Sequence, residues 1–299
     1  MANEILNRPL ILVAHPDDET LACGGLLQRA VAPMVVFATD GTPGGYGLER
    51  TFGSLKAYTE LRLQEGARAL GHIPHCSFQW LTRADGSYVG DQHLFEDLPD
   101  AAIFLCEITR SFSPDAIVSH AYEGGHIDHD SCSFLAMHFA AAFSLKRFEF
   151  PLYWTDEKGK SIQQQFRDMS PKDAPGRSEA TPADVLELQL SEAEIECKNK
   201  MRAEYKTQSG TVASFAPGIE RFRPAVTTSS SFRIAQCRSY LFQEQRPRFY
   251  HTYRHRLSAK SLLKKFAEFE DWRRQREDWP HPPEAMDHGG LTAYPSRGA

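Results

Sequence analysis

The stretch Ala14-His15-Pro16-Asp17-Asp18-Glu19 gathers an imidazole and three carboxylates at one point of the chain. It follows the apolar run Pro9–Val13, which reads as a buried strand, and precedes Thr20–Ala30, which reads as the opening turns of a helix. Open α/β folds collect ligands where strands end and helices begin. Carboxylates packed this closely repel one another unless a cation sits among them. A second group, Glu123-Gly124-Gly125-His126-Ile127-Asp128-His129-Asp130, follows the short run Pro114–His120 and precedes an apolar helix-like run, Cys132–Phe143. His126 and His129 are three apart, so at a helix start both rings can face the same way. The chemistry these residue types imply is one metal ion held between the two groups.

The elements that must bring the groups together follow from hydrophobic pattern. Leu10–Ala14 predicts a strand covered on both faces, because its apolar character is continuous rather than alternating. Helix Thr20–Ala32, strand Pro33–Thr39, helix Leu55–Leu70 capped by Gly71, strand Cys76–Leu81, helix Leu94–Phe112 and strand Asp115–His120 complete an alternating series. Gly24-Gly25 allows the first helix to pack closely on the sheet. The alternation predicts a Rossmann-like, doubly wound α/β fold with a mostly parallel sheet and C-terminal additions. In the order 3-2-1-4-5, strands one and four are neighbours at the point of reversal, which is the expected crevice for a ligand. His15, Asp17 and Asp18 would then stand beside His126 and His129. Phe148–Trp154 reads as a fifth strand, and Ser191–Tyr205 and Leu262–Arg276 as helices.

Residues 1–255 are read as a single domain, with 156–190 a surface excursion and 210–255 a segment covering the site; 256–299 are read as a helix and tail. The Gly-rich loop Asp40–Gly47 lacks the lysine of a phosphate-binding loop and reads as a mobile loop over the site. Asp85-Gly86 marks a turn at a strand's carboxyl end. Arg62, taken alone, reads as a solvated face of its helix. His72, His75, His93 and His138 lack chemical company, and His120 is placed behind the ligands.

The 299 residues suffice for one large core, and 34 basic against 39 acidic residues leave a formal charge of −5. That mild acidity gives no reason to expect nucleic acid or an anionic membrane as partner. No apolar run reaches the roughly 18–20 residues of a membrane span. The first residues carry no apolar leader, so a cytoplasmic location is expected. The six cysteines are scattered, without metal or disulfide spacing, and read as reduced thiols. The sequence is silent on oligomeric state.

His15-Pro16-Asp17-Asp18-Glu19, with Gly125-His126-Ile127-Asp128-His129 about 110 residues later, resembles the PIG-L/LmbE family of zinc-dependent deacetylases, which act on N-acetylglucosaminyl and related conjugates. Echoes at Glu60-Leu61-Arg62, Asp85-Gly86, Pro151-Leu152-Tyr153 and Lys206-Thr207-Gln208 extend the likeness over roughly residues 8–210. The resemblance implies His15, Asp18 and His129 as Zn2+ ligands, Asp17 as general base and His126 facing the developing oxyanion. It implies Arg62 and Asp85 as sugar contacts. The family's tyrosine position before the second motif is Gly124 here, with Tyr122 as its substitute.

Two imidazoles and a carboxylate leave room at zinc for water and substrate. The ion would acidify water and polarise an amide carbonyl. Asp17 would take the proton and a protonated His126 would stabilise the charged intermediate, while Glu19 and Asp128 would orient a ligand imidazole. Iron, manganese or cobalt could replace zinc. The leading function is removal of the acetyl group from an N-acetylated amino sugar or conjugate. The competing functions are hydrolysis of a non-sugar N-acyl compound and a non-catalytic metal- or sugar-binding module. A dinucleotide-binding oxidoreductase is disfavoured, because carboxylates stand where glycines should meet a pyrophosphate.

Overall fold

The structure, a computed structural model, describes residues 5–44, 47–123, 126–155, 160–166, 185–225 and 259–280. Strand β1 (Pro9–Val13) is buried along its whole length, and its alternate residues serve different cores. Leu10 and Leu12 face one cluster, with Met34, Val36, Leu105 and Phe139; Ile11 and Val13 face the other, with Val35, Phe37, Leu26 and Leu70. A strand with apolar side chains on both faces must be covered on both faces.

The covering helices come from the alternating series. Strands β2 (Met34–Phe37), β3 (Ser77–Trp80), β4 (Ala116–His120) and β5 (Lys146–Phe150) join β1 in a parallel arrangement. The full order is β3-β2-β1-β4-β5-β9-β8, the last two being β9 (Ile219–Pro224) and β8 (Leu186–Gln189), paired antiparallel. The doubly wound order read from the sequence is therefore present, and β1 lies between β2 and β4 at the reversal. The helices in chain order are α1 (Asp18–Arg29), α2 (Leu48–Phe52), α3 (Leu55–Gly71), α4 (Leu98–Phe112), α5 (Ile127–Ala142), α6 (Glu192–Glu204), α7 (Ser209–Ala213) and α8 (Ala259–Arg274). Side chains of α1 and α3 fill one core; those of α4, α5 and α8 fill the other, where Phe266 of α8 stacks on Phe134 at 4.0 Å.

Several boundaries differ from the sequence reading for physical reasons. α1 begins at Asp18 and α5 at Ile127, earlier than the apolar pattern suggests, so the acidic and histidine motifs are first turns of helices. The predicted strand Phe148–Trp154 splits at Pro151, which cannot donate to a ladder. Tyr153–Thr155 (β6) instead pairs with Ser161–Gln163 (β7) in a separate ribbon. The helix predicted from Leu94 breaks into a 3-10 turn, Leu94–Glu96, and α4, whose second residue is Pro99. The excursion 156–190 contributes β7 and β8, and its residues 167–184 lie outside the described residues, as do 226–258 and 281–299. Among the described residues no helix is long and apolar enough to cross a membrane.

α6 docks on α1 through a buried ion pair. Lys198 Nζ donates to Glu220 Oε1 at 2.6 Å and to Leu21 O at 3.0 Å, while Glu220 accepts from the amides of Gly25 and Leu26. Gly24 makes room for this approach, and Gly25 for Leu190, the residue that follows sheet strand β8. A Cβ on Gly24 would stand 3.0 Å from Lys198 Cγ, and one on Gly25 2.1 Å from Leu190 Cδ2. Lys198→Met leaves the buried Glu220 carboxyl without its cation. We expect a loss of about 3 kcal/mol in urea denaturation; an unchanged midpoint would mean the pair does not anchor α6.

Candidate functional site

Both motifs open helices at the carboxyl ends of adjacent strands, β1 and β4, and meet across the crevice. Asp18 is the centre of the meeting. Its Oδ2 lies 3.3 Å from His15 Nδ1, 3.3 Å from His120 Nε2 and 3.6 Å from His129 Nε2. The His15 amide also donates to it at 2.9 Å. Burial opposes ionisation of Asp18, but His129 and then His120 outweigh it and hold the carboxyl well below the usual range.

Asp18 thus stands between the two imidazoles that the resemblance offers as its co-ligands, and among the described residues the groups whose ligand atoms all lie within 4.8 Å of one another are His15–His126–His129, Asp18–His120–His129 and His15–Asp91–Asp128. His129 is fully buried and neither ring nitrogen has a hydrogen-bond partner. Such an imidazole is costly unless something else takes its lone pair. Two ligand atoms each about 2.1 Å from a tetrahedral zinc stand about 3.4 Å apart, which the Asp18 spacings match. The donor set, one carboxylate and two imidazoles, suits zinc and other divalent transition metals. His15 Nε2 lies 3.2 Å from Asp128 Oδ2, which also accepts from the amides of Gln92 and, at its other oxygen, Leu94. A carboxylate holding Nε2–H leaves Nδ1 as the lone-pair atom facing Asp18. His120 stacks on His129 at 4.0 Å and accepts from Ala14 N at 3.1 Å, so it backs the cluster from the end of β4.

Asp17 lies beside this cluster with φ 132° and ψ −29°, a backbone region L residues rarely adopt. Burial pushes its carboxyl up to about 7, against the pull of Arg62. Arg62 is buried, not solvated as its helix pattern alone suggests. Its Nη2 donates to Pro16 O at 2.5 Å and lies 3.4 Å from Asp17 Oδ2. Gly41 makes room for it: at φ +67° a Cβ there would stand 2.9 Å from Arg62 Nε.

His126 caps α5, and its Nδ1 accepts from Asp128 N at 3.2 Å. That bond puts the ring proton on Nε2, which points into the cavity 3.8 Å from Asp91 Oδ1. Burial lowers its pKa to about 4, with His15 adding to the effect. The ring is a neutral donor at neutral pH, not the imidazolium expected from the sequence.

Glu19 does not touch an imidazole. It accepts from the Asp17 amide, Thr20 Oγ1 and Tyr205 OH. Asp85 is not brought to the site. It lies exposed in the turn between Thr82 and Tyr88, bonded to Ser87. That turn points away, and the chain returns at Asp91, whose Oδ1 lies 3.1 Å from His15 Nε2. Burial opposes ionisation of Asp91, but His15 and then His126 hold it down at about 2. Asp91 belongs to neither sequence motif, and only the fold of the loop after β3 brings it to His15. Tyr122 packs against the core rather than lining the cavity, and Gly124 lies outside the described residues.

The cavity has a volume of about 180 Å3. His15, Asp17, Asp18, Asp91, Arg62 and His126 form its polar side, and Leu21, Leu152, Tyr153 and Phe215 its apolar side. Gly41 and Pro43 of the Gly-rich loop and Thr211 of the 210–255 segment reach it; Gly45 and Tyr46 lie outside the described residues.

No curated protein sequence matches the chain. The fold is similar to a zinc-inhibited form of the teicoplanin deacetylase Orf2 (15% identity, TM-score 0.52, covering 75% of this chain and 100% of that one). It is also similar to a triple mutant of a deacetylase of the teicoplanin biosynthetic pathway (18%, 0.54, 75% and 100%). The A40926 pseudoaglycone deacetylase Dbv21 gives 14% identity and a TM-score of 0.52 over 75% of this chain and 99% of that one. Residues 10–140 match the family model described as "PIG-L: GlcNAc-PI de-N-acetylase", a span that holds both motifs.

Proposed function

We propose that this chain is a metal-dependent hydrolase that removes the acetyl group from an N-acetylated amino sugar or its conjugate. The observation that carries this reading is the Asp18 carboxylate facing the nitrogens of His15 and His129, with a second buried carboxyl, Asp17, at its side. The PIG-L match and the deacetylase activity named for the structural neighbours support it.

His15, Asp18 and His129 would hold the ion, zinc by its donor set. When bound, the ion supplies Lewis acidity, polarising an amide carbonyl and acidifying water. Asp17, buried beside the ligands, takes the proton of the attacking water. Neutral His126 donates its Nε2–H to the oxygen on which charge builds. Asp17 then holds the proton that the departing amine requires. Arg62 keeps the Asp17 carboxylate on the cavity side, and Asp91 offers an acceptor for a sugar hydroxyl. A retained base beside the ligands argues against a binding module that performs no chemistry. The apolar side of the cavity, Leu152 and Phe215, favours one second reading, a non-sugar N-acyl compound.

The first test is Asp17→Asn. Elemental analysis should find its metal content equal to the native protein's, while acetate release from N-acetylglucosamine falls about 10²–10⁴-fold. Native turnover in this variant would remove Asp17 from the mechanism. Turnover of N-acetylated amino acids, with none of N-acetylglucosamine, would select the second reading.

Arg62→Lys provides another test. A single ammonium cannot span Pro16 O, Asp17 and Glu65 as the guanidinium fork does. We expect a loss of roughly 2–3 kcal/mol in thermal denaturation, with lowered kcat. A native midpoint and native kcat would contradict the role given to Arg62.

A further inference from the structure

We infer that Tyr205 and Thr207, in the turn that follows α6, are positioning residues for Asp17. The inference rests on Asp17 being the proton acceptor. Both lie outside the span 10–140 that matches the family model, Thr207 within the echo Lys206-Thr207-Gln208.

The Pro16–Asp17 peptide group is held at both ends. Its N–H, on Asp17, donates to Glu19 Oε2 at 3.0 Å. Its carbonyl, on Pro16, accepts from Arg62 Nη2 at 2.5 Å. Fixing both ends fixes the plane of that peptide, and with the Asp17 carbonyl held by Leu21 N at 2.9 Å the φ of 132° lies between two anchored groups. A residue in such a conformation persists only where its surroundings over-determine it.

Both grips lead back to residues 205–207. Tyr205 OH donates to Glu19 Oε1 at 2.5 Å, and both residues are fully buried, so no water exchanges for that bond. Thr207 donates through its amide to Glu65 Oε1 at 2.9 Å and through its hydroxyl to Glu65 Oε2 at 2.6 Å. Glu65 Oε2 lies 3.5 Å from Arg62 Nη1, and the Thr207 hydroxyl accepts from the same nitrogen at 3.3 Å. Two separate hydrogen-bonded chains, Tyr205–Glu19 and Thr207–Glu65–Arg62, thus close on one peptide.

The turn has a rigid base. α6 carries a capping box, Ser191 with Glu194, and Glu194 pairs with Arg29 of α1 at 2.5 Å. Gln208 adds a bond to Tyr58 OH of α3 at 2.9 Å. Residues 205–208 therefore join α6 to α1 and α3 directly behind Asp17.

The test uses the full chain with Tyr205→Phe, which removes only the hydroxyl, and with Thr207→Val and Thr207→Ser. Amide hydrogen exchange at Asp17 should quicken roughly tenfold in Tyr205→Phe and in Thr207→Val, and return towards native in Thr207→Ser. Amides of Leu12 and Val13 in β1 should keep their native rates. With N-acetylglucosamine, kcat should fall about tenfold or more while KM stays within about twofold. In an Asp17→Asn background the Tyr205→Phe loss should vanish, because the two changes act through one group.

Native exchange at Asp17 in Tyr205→Phe would overturn the inference. So would β1 amides quickening in step with Asp17, which marks general loosening. Faster exchange with native kcat would overturn the positioning role while leaving the deacetylase reading intact. Full turnover in Asp17→Asn alone would instead remove the base assignment, and the exchange rates would then decide the clamp by themselves.

Discussion

Three adjacent acids, Asp17, Asp18 and Glu19, are buried at the end of β1, and each must find a different way to be tolerated there. Asp18 faces imidazoles and the cation they would share. Glu19 accepts from Tyr205, Thr20 and a backbone amide. Asp17 has the guanidinium of Arg62 at 3.4 Å and little else. Neighbouring carboxyls in unlike environments are driven to unlike protonation behaviour. Asp18 is held ionised, and Asp17 is lifted to about 7. In the proposed mechanism the same local sequence supplies both a ligand and a base.

The sheet order places this cluster. β1 and β4 are neighbours, their carboxyl ends open on the same crevice, and each is followed at once by a helix whose first turn carries the polar group. Because β1 is apolar on both faces, it cannot lie at an edge. The helices that cover it, α1 on one face and α5 on the other, are the helices that present Asp18 and His129. Core packing and ligand geometry are thus one constraint.

Much of this was legible in the sequence because it depended on local pattern. The strand–helix alternation, the order 3-2-1-4-5 and the meeting of the two motifs follow from where apolar runs end, whereas the choice of His15, Asp18 and His129 comes from the resemblance. What was not legible depended on loops and on distant segments. The resemblance offers Asp85 as a sugar contact, but the turn that carries it is exposed, and the chain returns to the crevice only at Asp91, just before the positive φ (72°) of Gln92. Arg62 looked solvated because its face of α3 is covered by the turn after α6, a contact that no helical period records. The neutral state of His126 follows from a cap bond to Asp128 N and from burial, neither of which spacing reveals.

The central claim is that His15, Asp18 and His129 share one cation. Anomalous diffraction at the metal's absorption edge, from crystals of the metal-loaded protein, tests it most directly. The account predicts one peak within bonding distance of Asp18 Oδ2, His15 Nδ1 and His129 Nε2. A peak bound elsewhere, such as between Asp91 and His126, or no peak from protein supplied with zinc, would contradict it.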